Sequence, residues 1–172
     1  MINWQFFPKS ARLPPHLGRV VHAFEASESE IQSMVDGVER IQPSNAVLGM
    51  LAPELMQLGY RVEMGKASAD KIDVPVLFGR NGKIEKTFAA DAYNPLDRTV
   101  LEIEAGRAIV NNAVLKDLFE ACMMQDVDYA VIAVRNVYQR TRDFEKVVTL
   151  IDTLYASQRL KLPLSGVLII GY

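Results

Sequence analysis

One cysteine and two histidines are all that this 172-residue chain offers to disulfide or soft-metal chemistry. Cys122 alone cannot build an internal disulfide framework or a cysteine-rich zinc site. His16 and His22 leave little material for imidazole-bound metals. Any metal would therefore be held by carboxylates, which selects a hard cation such as Mg²⁺ or Mn²⁺. No apolar run approaches the roughly 20 residues that span a bilayer, so no membrane partner is expected. Residues 1–8 lack the basic stretch and apolar core of a secretory signal, and a cytoplasmic location is the expectation. Neither sign of charge is in excess. The 19 Lys and Arg against 21 Asp and Glu leave −2, which gives no global sign of nucleic-acid binding but leaves room for a local basic patch. Repeats and low-complexity tracts are also missing. What is present is a 49% hydrophobic content, enough for the core of one domain over residues 1–172.

Residues 1–18 read as irregular, with Pro8, Pro14 and Pro15 as breakers, and residues 19–24 as a short strand. Ser27 followed by Glu30 matches a capping box and predicts a helix to about Ile41. Ser44 or Asn45 caps a second helix to about Leu58, bent or restarted at Pro53, and Gly59 stops it. Strands are expected over residues 60–64, 74–78, 84–93 and 99–105, with a hairpin at Asn81-Gly82 and a turn over residues 94–97. Asn111 or Asn112 caps a helix to about Gln125. The apolar runs 129–134 and 166–170, joined by an amphipathic helix over 143–156, predict a parallel strand–helix–strand crossover covered on both faces. The sum is a three-layer α/β/α domain with a mixed sheet. Residues 1–44 form an N-terminal extension and helix, 45–135 the core, and 136–172 a closing helix and strand.

The sharpest chemical feature is Glu102-Ile-Glu104 within an apolar strand. Alternate residues share a face, so Val100, Glu102 and Glu104 point one way and Leu101, Ile103 and Ala105 the other. On a covered face, two neighbouring carboxylates are costly to ionise. A hairpin folded about Leu96 and Asp97 brings Asp91 opposite or diagonal to Glu102. Three carboxylates so close repel one another, and a divalent cation removes the repulsion. The plain alternative is a solvated face on an edge strand.

The stretch Phe88-Ala-Ala-Asp91-Ala-Tyr-Asn-Pro-Leu-Asp-Arg-Thr-Val-Leu-Glu102-Ile-Glu104-Ala-Gly106, followed by a helix and an apolar strand, resembles the PD-(D/E)xK nuclease superfamily. The likeness is to restriction endonucleases of the BamHI and BglII kind. It covers roughly residues 45–135, with the motif itself confined to 88–106. It implies a mixed four-stranded sheet flanked by helices, and Mg²⁺- or Mn²⁺-dependent hydrolysis of DNA phosphodiesters. Asp91 and Glu102 then occupy the metal-ligating acidic positions. Glu104 stands where most members carry lysine, as in the BamHI-like branch, and orients or deprotonates water or ligates a second ion. Ala90 replaces the motif's proline. Lys116 is a candidate for a displaced lysine and Glu54 for a helix-borne accessory acid. Arg107 and Asn111, just after the acidic strand, and Arg135 and Arg140, after the next strand, are candidate DNA contacts. Cleavage of both strands implies a homodimer. The alternative function is a nuclease-fold protein without catalysis that binds nucleic acid or a protein partner.

Overall fold

The computed structural model describes residues 1–65, 70–106, 108 and 112–172. In chain order the elements are β1 (Asn3–Phe7), α1 (Pro15–Ala26), α2 (Glu28–Ile31), β2 (Met34–Val35), β3 (Val38–Glu39), α3 (Ser44–Gln57), β4 (Arg61–Val62), β5 (Ile72–Phe78), β6 (Ile84–Ala90), β7 (Ala92–Asn94), β8 (Thr99–Glu104), α4 (Ala113–Met123), β9 (Tyr129–Val134), α5 (Asp143–Ser157) and β10 (Gly166–Gly171). A six-stranded mixed sheet runs β1-β10-β9-β8-β7-β4. Strands β8, β9 and β10 are parallel, and β1, β7 and β4 pair antiparallel with their neighbours. The two crossovers β8–α4–β9 and β9–α5–β10 give the parallel core, as the continuous apolar runs require.

Each strand of that core sends alternate side chains to opposite layers. Leu101, Ile103, Val131, Ala133, Leu168 and Ile170 pack under α1, α2 and α3. Ile132, Val134, Val167 and Ile169 pack under α4 and α5. The result is helices on both faces of a mixed sheet. Among the described residues no helix is long and apolar enough to cross a membrane.

The N-terminal third departs from the sequence expectation. Residues 3–7 form edge strand β1, paired with β10 from Asn3↔Gly171 to Phe7↔Val167. This pairing spans the whole chain and leaves no local trace. Pro14 and Pro15 begin α1 rather than break structure: Pro15 sits in the first helical turn, where its missing N–H costs nothing. Residues 19–24 are helical, not a strand. Leu17, Val20, Val21 and Phe24 are buried at helical spacing. The helix expected from Ser27 to Ile41 stops after one turn at Ile31, and Ser27 makes no side-chain cap. Asp36 and Gly37, both at positive φ, instead turn the β2–β3 hairpin, a geometry that Asp-Gly favours. Helix α3 runs unbroken through Pro53, and Gly59 follows at φ +90°.

The strand expected over 84–93 divides at Asp91. Before it, β6 pairs with β5 in a separate two-stranded ribbon; after it, β7 joins the main sheet. The turn that returns β7 into β8 is fixed by Asn94, whose side chain is buried. Its Nδ2 donates to the Leu58 carbonyl at 3.0 Å and to Asp97 Oδ2 at 3.0 Å. Its Oδ1 accepts from the amides of Leu96 and Asp97 at 3.0 and 3.1 Å. Asn94→Ala leaves these buried groups unpaired, at a cost of roughly 2–3 kcal/mol. Urea titration is expected to show that loss at an unchanged m-value; an unaltered midpoint would contradict the role given to this side chain.

Candidate active site: a buried acidic cluster

The ladder Asn94↔Thr99, Tyr93↔Val100, Ala92↔Leu101, continued by one residue, sets Asp91 across from Glu102. The amide of Ile103 donates to Asp91 Oδ2 at 2.7 Å, and the amide of Asp91 donates to the Glu102 carboxylate. The two acids are therefore held by each other's strand. Val100 packs with Ala121 and Met124 at the α4 end of the molecule. By alternation Glu102 and Glu104 face the same way, toward α4.

Helix α4 adds a fourth acid that the sequence analysis missed. Asp117 lies on the buried stripe Val114, Asp117, Leu118, Ala121, and its side chain is only 6% exposed. Its carboxyl meets that of Glu104 within hydrogen-bonding reach, and its Oδ2 has no hydrogen-bond partner among the described residues. The signal was available: an acid at a core position of an amphipathic helix is rare unless paired.

Burial governs the protonation of all four. It pushes Asp91 up to about 6, against the lowering by the Ile103 amide, with Glu63 and Asp117 adding repulsion. It lifts Glu102 well above the carboxylate range, helped by the charges of Asp91 and Asp117. It raises Glu104 to about 8, with Asp117 and then Asp91 contributing. Asp117 also rises through burial, while its hydrogen bond with Glu104 pulls the other way. Two carboxyls this close do not readily ionise together, so the pair holds a proton more tightly than either acid would alone. The cluster cannot carry four negative charges without help.

Lys116 supplies some of it. Its Nζ is 3.3 Å from Glu120 Oε2 and 3.6 Å from Asp117 Oδ1, and its charge counters Asp91, Glu102 and Glu104. The side chain is 67% exposed, so its charge acts from the solvent side of the cluster.

Other candidate residues lie elsewhere. Glu54 lines a cleft with Arg19 and His22 between α1 and α3, in the layer opposite Glu102. Arg135 is only 2% exposed; its guanidinium donates to the Gln42 carbonyl and lies 5.0 Å from the Tyr138 ring centroid. It is an internal strut, not an outward phosphate contact. Arg140 is exposed at positive φ in the loop after β9. Asn112 sits at the N-cap of α4 but in the left-handed region and without a side-chain cap bond. Arg107 and Asn111 fall outside the described residues.

Among the described residues, no three acidic, histidine or cysteine side chains already converge as an ion cage. The donor chemistry nevertheless suits a hard cation. All donors are carboxylate oxygens, one of them is buried without a partner, and the groups hold protons that an ion would displace. Asp117→Asn removes the acid that, after burial, does most to raise Glu104 and is expected to lower the pH at which Glu104 titrates. Carboxyl-carbon NMR of the metal-free protein would follow this, and an unmoved Glu104 titration would contradict the coupling. No family model matches the chain and no curated protein matches it.

Proposed function

We propose that the protein is a Mg²⁺- or Mn²⁺-dependent endodeoxyribonuclease of the restriction-endonuclease type. The observation that carries this reading is that strand register and the buried stripe of α4 turn Asp91, Glu102, Glu104 and Asp117 toward one another, short of a closed cage, where burial and mutual repulsion favour their protonated forms. The six-stranded sheet is mixed and carries helices on both faces, the coarse arrangement that the nuclease likeness leads one to expect. That supports the reading from the side of the fold.

Asp91 and Glu102 would hold the ion. A bound divalent cation lowers the pKa of water and neutralises charge on an attacked phosphate. The Ile103 amide fixes Asp91 Oδ2 and so holds the carboxylate in place for ligation. Once ionised, Glu104 would take the proton of the attacking water, and Asp117, within hydrogen-bonding reach of it, would set how readily it does so. Lys116, on the solvent side, would offset the repulsion between the acids and an approaching phosphodiester. Symmetric cleavage of both strands would need two copies of the chain.

Plasmid nicking tests the reading. Wild-type protein with Mn²⁺ is expected to convert supercoiled DNA to the open circle, and Asp91→Ala to reduce the rate at least a hundredfold. Equal nicking by the two proteins, or none by either, would contradict it.

A further inference from the structure

The ribbon formed by β5 and β6 stands outside the six-stranded sheet. Its root is packed. Val74, Val76 and Ala90 are buried with Ala121, Met124 and Val127, and the Gln125 amide donates to the Pro75 carbonyl at 2.8 Å. Its distal half is bare. Leu77, Phe78 and Ile84 are exposed, as are Arg80, Lys83 and Lys86. None of these three cations is ion-paired among the described residues, and Lys86 rests 5.1 Å over the Phe88 ring. The acid at this end, Glu85, is folded against Gly79. Residues 77–86 thus carry three cations and one acid in a chain whose net charge is −2.

Position gives this patch meaning. Strand β6 ends at Ala90 and the next residue is Asp91, so the ribbon is joined directly to the acidic cluster. A cluster of carboxylates repels a polyphosphate, and a substrate of that charge needs a cationic hold nearby. A two-stranded ribbon is also narrow enough to enter the major groove of duplex DNA.

We propose that the distal half of the β5–β6 ribbon is the arm that holds duplex DNA beside the acidic cluster. Arg80, Lys83 and Lys86 contact backbone phosphates, and the Leu77, Phe78 and Ile84 tip lies in the groove. The inference takes its partner from the nuclease reading, and is tested on binding alone so that the two can fail separately.

The test is fluorescence anisotropy with a 20-base-pair duplex and Ca²⁺ over a series of KCl concentrations. It compares wild type with the triple variant Arg80→Ala, Lys83→Ala, Lys86→Ala. These side chains are exposed and form no ion pair among the described residues, and only Lys86 loses a ring contact, so a Tm lowered by at most a few degrees is expected and checks that the variant is folded. Losing three phosphate contacts should reduce the slope of log K against log salt by about 2.7 and weaken binding at least tenfold at low salt. Equal affinity and slope in the two proteins would overturn the arm while leaving the nuclease reading standing. A wild type that binds no duplex would overturn the arm too, and metal-dependent nicking would still judge the nuclease reading by itself. A variant that changes only its sedimentation, from dimer to monomer, would assign the tip to a second copy of this chain and overturn the proposal.

Discussion

Stripped of divalent ions, the protein will be more stable at pH 5 than at pH 8, and millimolar Mn²⁺ or Mg²⁺ will raise its Tm far more at pH 8 than at pH 5. The sign follows from the direction of the shifts. Asp91, Glu102, Glu104 and Asp117 are all raised above their ordinary values by burial. Between the unfolded carboxyl pKa, about 4, and the folded values, about 6 for Asp91 and about 8 for Glu104, the folded chain holds protons that the unfolded chain has released. Stability must then fall as pH rises through that window. The Asp91 shift corresponds to about 3 kcal/mol over the whole window, of which roughly 1.4 kcal/mol, or about 3–6 °C in Tm for a domain of this size, falls between pH 5 and pH 8. A bound cation replaces the protons and restores what deprotonation removes, by ligand linkage. A Tm that is flat or rises from pH 5 to 8 would contradict the protonated cluster, and a metal effect independent of pH would place the ion elsewhere.

Asp117→Asn will stabilise the metal-free protein at pH 8 and damage its chemistry. The amide keeps the shape of the acid in its buried place on α4, removes one charge from a crowded set, and can donate to Glu104 where the acid must borrow a proton. A gain of several degrees in Tm at pH 8, fading toward pH 5, is expected from differential scanning calorimetry. Mn²⁺ affinity and nicking rate are expected to fall by roughly 10–100-fold, the usual consequence of altering a group that orients a metal ligand. Destabilisation at every pH would mean that Asp117 is an ordinary structural acid paired in the folded state. Unchanged nicking would remove it from the proposed machinery.

How far the fold was legible depends on where its information lies. The runs Tyr129–Val134 and Gly166–Gly171 announce themselves because a strand covered on both faces has no polar positions. Helix α5 shows in its 3.6-residue stripe. The N-terminal strand does not, because Trp4, Phe6 and Phe7 acquire strand structure only from β10, some 160 residues away. Helix α1 was hidden by two prolines that look like breakers and act as a start. In the site, Glu102, Glu104 and Asp91 could be placed by alternation and hairpin geometry alone. Asp117 could not be, since its partner Glu104 comes from another element. Arg135 misled because a basic residue after a strand looks like a surface contact, whereas residue alternation along β9 turns it into the layer beneath α3. The separation of β6 from β7 at Asp91 also escaped the apolar pattern, which runs through both.

The central claim is that the four carboxylates take up a divalent cation in exchange for protons. Calorimetric titration of the metal-free protein with Mn²⁺ at pH 7.5, repeated in two buffers of different ionisation enthalpy, measures both quantities at once. Saturable binding at sub-millimolar Mn²⁺ is expected, with about one proton or more released per ion, and Glu102→Gln should abolish it. The absence of saturable heat up to 10 mM Mn²⁺, or binding that releases no proton and survives Glu102→Gln, would contradict it.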